Sequence, residues 1–400
     1  MSSIGLKNRG KTKADTDERR KAAEEYTGVK FEAISNYGFD PELASKNIEN
    51  MIGTLQIPLG YAGPVRIEGE YAKGEFLIPL ATTEGALVAS ISRGMSAINA
   101  SGGVRTAVFA DAMTRAPVLR VRGIEHSKEV MDWVESNMDR VRSEVSETTS
   151  HGKLVGVEFF PDGRSLYMRL SFDTADAMGM NMATIASEAV CRLIERETGA
   201  VMISVSGNMC SDKKPAAINM ISGRGKTVVA EATIPEDVVR DKLHTTTAAV
   251  AETNYRKNLV GSSIAGTLGA NAHAANMVAA LYIATGQDPA QVVGGSMAIT
   301  TCEDVGGDLY ICVRMPAVEV GTVGGGTALP CQGEALRMIG CSGAGKARKL
   351  SEIVASTVLA GELSTLAAQA AGQLGQAHKA LGRRYDKALG SDIGQGRKAR

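Results

Sequence analysis

L-V-G-V-E-F-F-P-D-G-R-S-L-Y-M-R-L-S-F, residues 154–172, reads as two strands folded back on each other at Pro161-Asp162-Gly163. Residues 154–160 and 165–172 have the composition of half-buried strands, and Pro-Asp-Gly supplies a fixed φ, a side-chain acceptor and left-handed freedom for a tight reversal. Upstream, residues 104–110 and 118–121 alternate as strands, and residues 126–147 repeat apolar positions at helical spacing. Downstream, residues 180–198 read as a second helix and 201–205 as a final apolar strand.

The order strand–helix–strand–strand–helix–strand is the split βαβ, or ferredoxin-like, arrangement. The expected fold class is therefore α+β. A small domain over residues 116–206 is inserted into a large, helix-rich one built from 51–115 and 207–378. Further out, Thr82 or Thr83 is placed to cap a helix through Leu87, Ile91, Met95 and Ile98, ended by Gly102-Gly103. Residues 50–64, N-M-I-G-T-L-Q-I-P-L-G-Y-A-G-P, read as an extended segment that proline keeps at a sheet edge or an interface. Residues 1–50 are charged and helical, too sparse in apolar positions for a core, and are expected to form a peripheral arm. Beyond Pro215 the pattern gives strands over 226–232 and 309–315 and helices over 235–253, 266–285 and 347–372. A basic, mobile tail over 379–400 is expected to follow.

Composition narrows the function classes. The 400 residues carry 44 basic and 44 acidic side chains, so no net field draws the chain to nucleic acid or an anionic membrane. Aromatics are only 4% while glycines number 45, which favours backbone approach to a ligand over base-stacking platforms. Residues 1–26 do not read as a signal peptide, and the apolar stretch 353–372 is Ala-rich and interrupted by Glu362. A soluble, cytoplasmic protein is expected. The six cysteines lie far apart without C-x-x-C spacing, so neither a disulfide framework nor a metal site is expected.

Four segments hold polar residues that packing alone explains poorly. Glu84 follows Thr82-Thr83 at a helix start, where a carboxylate also suits the helix dipole. Asp212-Lys213-Lys214 lies on the Gly- and Asn-containing loop that begins at Ser206, and adjacent lysines repel unless an anion lies near. Asp288-Pro289 has the form of an N-cap, with His273 and Asn276 upstream. His378 lies just past the last helix. In addition, D-A-M-G-M-N-M, residues 176–182, leads into a helix N-terminus suited to a phosphate, and G-T-V-G-G-G-T, residues 321–327, lets backbone approach a ligand. No G-x-G-x-x-G follows a strand, so a Rossmann domain is not indicated.

These motifs, together with P-L-A-T-T-E-G-A-L-V-A-S, V-S-G-N-M-C-S-D-K-K-P-A-A-I-N, N-A-H-A-A-N and G-Q-D-P-A-Q, run from about residue 48 to 378. In order and spacing the chain resembles the catalytic portion of 3-hydroxy-3-methylglutaryl-coenzyme A (HMG-CoA) reductase, class I, of the soluble archaeal type. The resemblance implies reduction of HMG-CoA to mevalonate and coenzyme A by two hydrides from NADPH, in isoprenoid synthesis. It implies that Glu84, Lys213, Asp288 and His378 are catalytic. It further implies that Arg115, Ser206, Asp212, Lys214, Lys257, His273 and Asn276 bind the hydroxymethylglutaryl group or support those residues, and that Asp176, Met178, Gly179, Met180, Asn181 and Met182 meet the dinucleotide. The family's site forms between subunits, so a homodimer or homotetramer is expected.

Two positions depart from membrane-anchored members. Arg384 stands where they carry a kinase-modified serine, and Thr149-Ser150-His151-Gly152-Lys153 lacks the arginine of their Ser-Arg pair. Ser150, His151 and Lys153 are the candidate contacts to the 2′-phosphate. Two competing readings remain at this point: a coenzyme A-dependent acyl transferase using Cys210 as nucleophile, and a nucleotide-binding regulatory module.

Overall fold

The computed structural model describes residues 10–372, so the expectations for His378, Arg384 and the tail over 379–400 lie outside the described residues. Its strands are β1 Leu59–Gly69, β2 Lys73–Ala81, β3 Val104–Arg115, β4 Val118–Arg120 and β5 Lys153–Asp162, followed by β6 Ser165–Asp173, β7 Val201–Ser204, β8 Gly225–Ile234, β9 Ile299–Val305 and β10 Asp308–Val318. They join in the order β7-β4-β6-β3-β8-β10-β9, with β1 and β2 beside β3, and β5 beside β6.

The long strand β3 serves two neighbourhoods. Residues 105–112 run antiparallel to β8, whereas Met113, Thr114 and Arg115 pair with Phe172, Ser171 and Leu170 of β6. Arg115 therefore sits at the joint. The same joint divides the apolar interior, which forms one buried cluster around β1, β2, β8 and β10 and a second among residues 113–202. In the second group β4 pairs antiparallel with both β6 and β7, and β5 pairs with β6.

The helices that matter below are α1 Lys13–Thr27, α2 Leu87–Ala100, α3 Ile124–Ser136, α4 Met138–Thr148, α5 Met180–Thr198, α6 Glu236–Leu243, α7 Thr247–Thr253, α8 Ala274–Thr285, α9 Pro330–Met338 and α10 Ala347–Ala370. Among the described residues α10 is the helix long and apolar enough to cross a membrane by composition, yet 83% of that stretch is buried inside the fold. It is the core helix. Its one acid facing the β1–β2 turn, Glu352, is buried and accepts the backbone N–H groups of Glu70, Tyr71 and Ala72 at 3.0, 2.9 and 2.6 Å. Burial pushes the Glu352 carboxyl above its ordinary range, and the three N–H donors oppose that rise.

Several elements differ from the sequence reading. The single helix expected over 126–147 is broken at Asn137, whose side-chain amide donates to the Trp133 carbonyl and competes with the helical ladder. The helix expected over 235–253 is two, α6 and α7, because His244 adopts a left-handed φ of 56°. Helix α8 starts at Ala274, not near 266, and the strand pair β1–β2, strand β9 and helix α9 were not anticipated. The helix expected to be capped at Thr82 or Thr83 begins at Leu87, after Ala86 in a left-handed conformation, with no side-chain cap.

Helices α2 and α10 cross at Gly94, where any Cβ would overlap the Ala360 carbonyl. Overpacking at such a contact typically costs about 1–3 kcal/mol. Gly94→Ala is accordingly expected to lower the stability by roughly that amount in chemical denaturation, and an unchanged midpoint would show that the crossing relaxes freely.

Candidate active site

The loop after β7 is conformationally constrained. Asn208, Ser211 and Lys213 all take positive φ, 66°, 46° and 57°. For a lysine that conformation costs of order 1–3 kcal/mol and persists only where surrounding contacts impose it. Here the imposed feature is an ion pair: Lys213 Nζ lies 2.9 Å from Asp288 Oδ2, with the two side chains 46% and 27% exposed. An ion pair this open contributes about 0–1 kcal/mol to stability, too little to offset the backbone strain, so it points to a functional requirement.

Asp288 divides its carboxylate between two tasks. Oδ1 accepts the Ala290 N–H at 3.0 Å, as the Asp-Pro motif predicts, leaving Oδ2 for the lysine. Asp212 is turned inward: Gln291 Nε2 donates to its Oδ1 at 3.0 Å, Arg224 lies 3.1 Å away and Arg115 3.8 Å. Lys214 points out and donates to the Asp212 carbonyl at 3.1 Å. The Ser206 hydroxyl meets Cys210 Sγ at 3.6 Å. Burial drives that thiol's pKa up, but the Ser206 hydroxyl and backbone donors outweigh it and leave the thiol below its ordinary value. Cys210 is nevertheless completely buried, so it cannot meet an acyl group as the transferase reading requires.

A second group gathers around the α8 N-terminus. His273 Nε2 faces the Gly361 carbonyl at 3.2 Å and the Thr365 hydroxyl at 2.6 Å. A carbonyl can only accept, which assigns the proton to Nε2 and leaves Nδ1 to accept from Asn276 Nδ2 at 3.3 Å. The same Asn276 amide reaches Glu84 Oε1 at 3.3 Å. Buried Glu362 of α10 holds the loop behind it, accepting the Ala272 and His273 N–H groups and the Thr300 hydroxyl at 2.7, 2.8 and 2.8 Å. Lys257 lies in a π-helical stretch, Asn254–Gly261, and donates to Asn258 at 3.0 Å; burial pushes its amine below the ordinary lysine value. Glu84 itself precedes helix α2 and is not in its first turn, so the helix-dipole reading of that residue does not hold.

The segment expected to meet the dinucleotide lines a cleft of about 780 Å³ with Asp288, Gln287 and the glycine loop 324–326. That volume suits a large organic ligand. Gly179 supplies a left-handed turn into α5, and the Gly321 backbone packs so closely on residues 176–178 that no Cβ fits there. A cradle of bare backbone and a free helix N-terminus fits a diphosphate. The loop with Ser150, His151 and Lys153 adjoins it, since a Cβ on Gly152 would overlap the Met182 sulphur; all three side chains are exposed.

Asp176 does something different from the expected ligand contact. Its carboxylate accepts the N–H groups of Gly345, Lys346 and Ala347 at 2.6, 2.9 and 3.0 Å, at the start of α10. Burial raises its pKa, but those three donors and Lys226 outweigh it and hold the carboxyl below its ordinary value.

Within one chain the expected residues thus assemble as two sets. Lys213 pairs with the cleft residue Asp288, and Arg115 meets Asp212 on the same loop that Ser206 opens, while Glu84 reaches Asn276, which meets His273, which in turn meets α10. Asn276, which holds Glu84, lies in the first turn of α8 and Asp288 beyond its last residue, Thr285, about 14 Å or more along the axis, so within one chain Glu84 and the Lys213–Asp288 pair form separate groups. Arg224, Gln291, Glu362 and Thr365 were missed by sequence reasoning. The signal for Glu362 was present, as the lone acid of its apolar stretch; a buried arginine between two glycines, Gly223 and Gly225, gave none.

A lysine–carboxylate pair at the edge of a cleft whose bare backbone and helix N-terminus fit a diphosphate is the equipment of a coenzyme-dependent oxidoreductase. The family model for hydroxymethylglutaryl-coenzyme A reductase matches residues 15–383. The chain is 55% identical over 383 residues to 3-hydroxy-3-methylglutaryl-coenzyme A reductase of Pyrococcus horikoshii, covering 94% of this chain and 93% of that protein. It is 52% identical over 377 residues to the enzyme of Haloferax volcanii, covering 92% and 94%. In fold it is similar to the class II reductase of Streptococcus pneumoniae bound to NADPH, with a TM-score of 0.68 at 20% identity over 88% of this chain and 86% of that one. The chain belongs to the hydroxymethylglutaryl-coenzyme A reductase family.

Asp176 offers a clean discrimination between cap and ligand. Asp176→Ala is expected to cost about 0.5–2 kcal/mol of stability, as loss of a helix cap does. Because the folded carboxyl titrates below its unfolded value, this contribution is present above about pH 4 and fades as pH falls through the folded pKa. Denaturation curves at neutral and acid pH check it; a raised KM for coenzyme at unchanged stability would assign the residue to the ligand instead.

Proposed function

We propose that this chain reduces the thioester of HMG-CoA to the primary alcohol of mevalonate and releases coenzyme A, with NADPH as donor. The observation that carries the reading is Lys213 Nζ at 2.9 Å from Asp288, on the residue that lines the same cleft as residues 178–182. When bound, NADPH supplies hydride; two equivalents balance the four-electron change from thioester to alcohol.

The protein's own part is charge and proton management. As the acyl oxygen gains negative charge, the Lys213 ammonium lies where it can stabilise it, and one such donor is worth about 3–4 kcal/mol. Asp288 holds that ammonium in place while its other oxygen is fixed to backbone, so little reorganisation accompanies the step. Collapse of the resulting hemithioacetal expels a thiolate, whose protonation we assign to His378 from the tail. The second reduction leaves an alkoxide, and Glu84, oriented by Asn276, is the proposed acid. Arg115, Ser206, Lys214 and Lys257 are proposed to hold the hydroxymethylglutaryl group, and Asp212 to support them.

Because the two sets of residues lie apart in one chain, we place the complete site between two copies, in a homodimer or homotetramer. The residues 113–202 cluster is proposed as the inserted NADP(H)-binding unit with a split βαβ topology, supported by its antiparallel order β7-β4-β6-β5. Ser150, His151 and Lys153 are the proposed 2′-phosphate contacts. Zero formal charge and the buried α10 support a cytoplasmic enzyme with no membrane or nucleic-acid partner.

Coenzyme oxidation followed against thioester consumption is expected to give two NADPH per HMG-CoA, with NADH a poorer donor. Lys213→Met is expected to lower kcat by about 10²–10³, the cost of one lost oxyanion donor; wild-type turnover in that variant would remove the lysine from the mechanism. Cys210→Ala, by contrast, is expected to keep kcat within about threefold, since its sulphur contacts no reacting group. Abolished turnover in folded Cys210→Ala would revive the acyl-transferase reading.

A further inference from the structure

Behind the Lys213 loop lies a guanidinium that the chemistry above does not use. Arg224 is completely buried, flanked by Gly223 and Gly225 at φ 73° and 66°. Its Nη2 lies 3.1 Å from Asp212 Oδ1 and 2.7 Å from the sulphur of Met180, the first residue of α5. Its Nη1 donates to Glu319 Oε1 at 2.9 Å and to Gln291 Oε1 at 3.3 Å. Gln291 closes the ring by donating its amide to Asp212 Oδ1 at 3.0 Å.

Each spoke ends on a segment that carries a site residue. Asp212 directly precedes Lys213. Gln291 belongs to the short turn Pro289–Gln291, and its N–H donates to the Asp288 carbonyl at 3.0 Å. Met180 opens the cleft-lining helix, and Glu319 stands two residues before Gly321, which packs on residues 176–178. Glu319 is itself fully buried against Gly294, and burial pushes its carboxyl up to about 7 despite the arginine. A dry pair of this kind adds little to stability compared with well-packed apolar side chains. What it supplies is geometry, because the guanidinium fork is planar and its donors point in set directions.

We infer that Arg224, together with Gln291, is a positioning residue that fixes Lys213 and Asp288 at their 2.9 Å separation and ties that pair to the start of the cofactor helix. Arg224 touches no reacting atom; it acts through Asp212 on one side and Gln291 on the other. Lysine cannot replace it, since a single ammonium on a shorter reach cannot bridge Asp212, Gln291 and Glu319 together. This rests on the reductase reading, and the two fail differently: that reading fails if wild-type protein does not turn over HMG-CoA with NADPH, whereas the positioning role is read from variant-to-wild-type ratios.

The test uses the full-length oligomer and the variants Arg224→Lys, Gln291→Leu and the double variant, each checked for a cooperative unfolding transition and the wild-type oligomeric state. Misplacement of a catalytic group by about 1 Å costs up to roughly 10²-fold, so Arg224→Lys is expected to lose about 10–100-fold in kcat with both KM values within about threefold. Gln291→Leu, an apolar replacement of similar size that is expected to fold even if Arg224→Lys does not, should lose about 5–20-fold in kcat with the same KM pattern. The double variant should lose less than the product of the single losses, because both act through Asp212. Wild-type kcat in either folded single variant, or a loss confined to KM, would overturn the inference, as would fully multiplicative losses.

Discussion

A carboxylate has two oxygens, and the site depends on Asp288 using them for different purposes. One is satisfied by backbone at the turn it caps; the other faces an ammonium. Were both engaged by backbone, the Lys213 ammonium would have no carboxylate opposite it, and the strained loop from Ser206 would present a cation with nothing to fix its position. The whole arrangement around the cleft, from the inward turn of Asp212 to the outward one of Lys214, follows from keeping that single cation in place at the surface of a folded chain.

Charge is handled oppositely on the two sides of this pair. Toward the cleft the ions are half open to water, where their mutual attraction is weak and a substrate oxygen can compete for the ammonium. Toward the interior, Arg224 and Glu319 are dry, and desolvation makes any unpaired state there expensive. The soft side is open to exchange partners and the stiff side fixes the geometry. A similar division holds around His273, where buried Glu362 grips the backbone and Asn276, meeting the imidazole on one side, reaches Glu84 on the other.

What the sequence made legible was local. Asp288-Pro289 declares its cap and Pro161-Asp162-Gly163 declares its hairpin; each depends on neighbours within a few positions, the cap lies where expected, and the hairpin reverses at Gly163-Arg164, after Pro161 and Asp162 have paired within the strand. The resemblance added residues that no local pattern reveals, such as Lys257, whose π-helical setting interrupts an otherwise ordinary helical spacing. What stayed hidden was long-range. Arg224 meets Glu319 across 95 positions and Glu362 meets His273 across 89, and no periodicity encodes such a meeting. The misreading of Glu84 as a first-turn residue has the same origin: Ala86 turns left-handed before α2, and alanine gives no notice of it.

Helix α10 is about 36 Å long at 1.5 Å per residue, and it is fastened at three heights. Its first turn receives Asp176 from beside the cleft, Glu352 clasps the β1–β2 turn, and Glu362 with Thr365 braces the histidine loop. It behaves as a beam through the core, with the Asp176 segment beside the cleft at one end and the His273 loop toward the other. A helix clamped at three heights sets the spacing of the segments fastened to it. The Asp176 contact and the imidazole contact thus share one rigid element, some 25 Å apart at about 1.5 Å per residue.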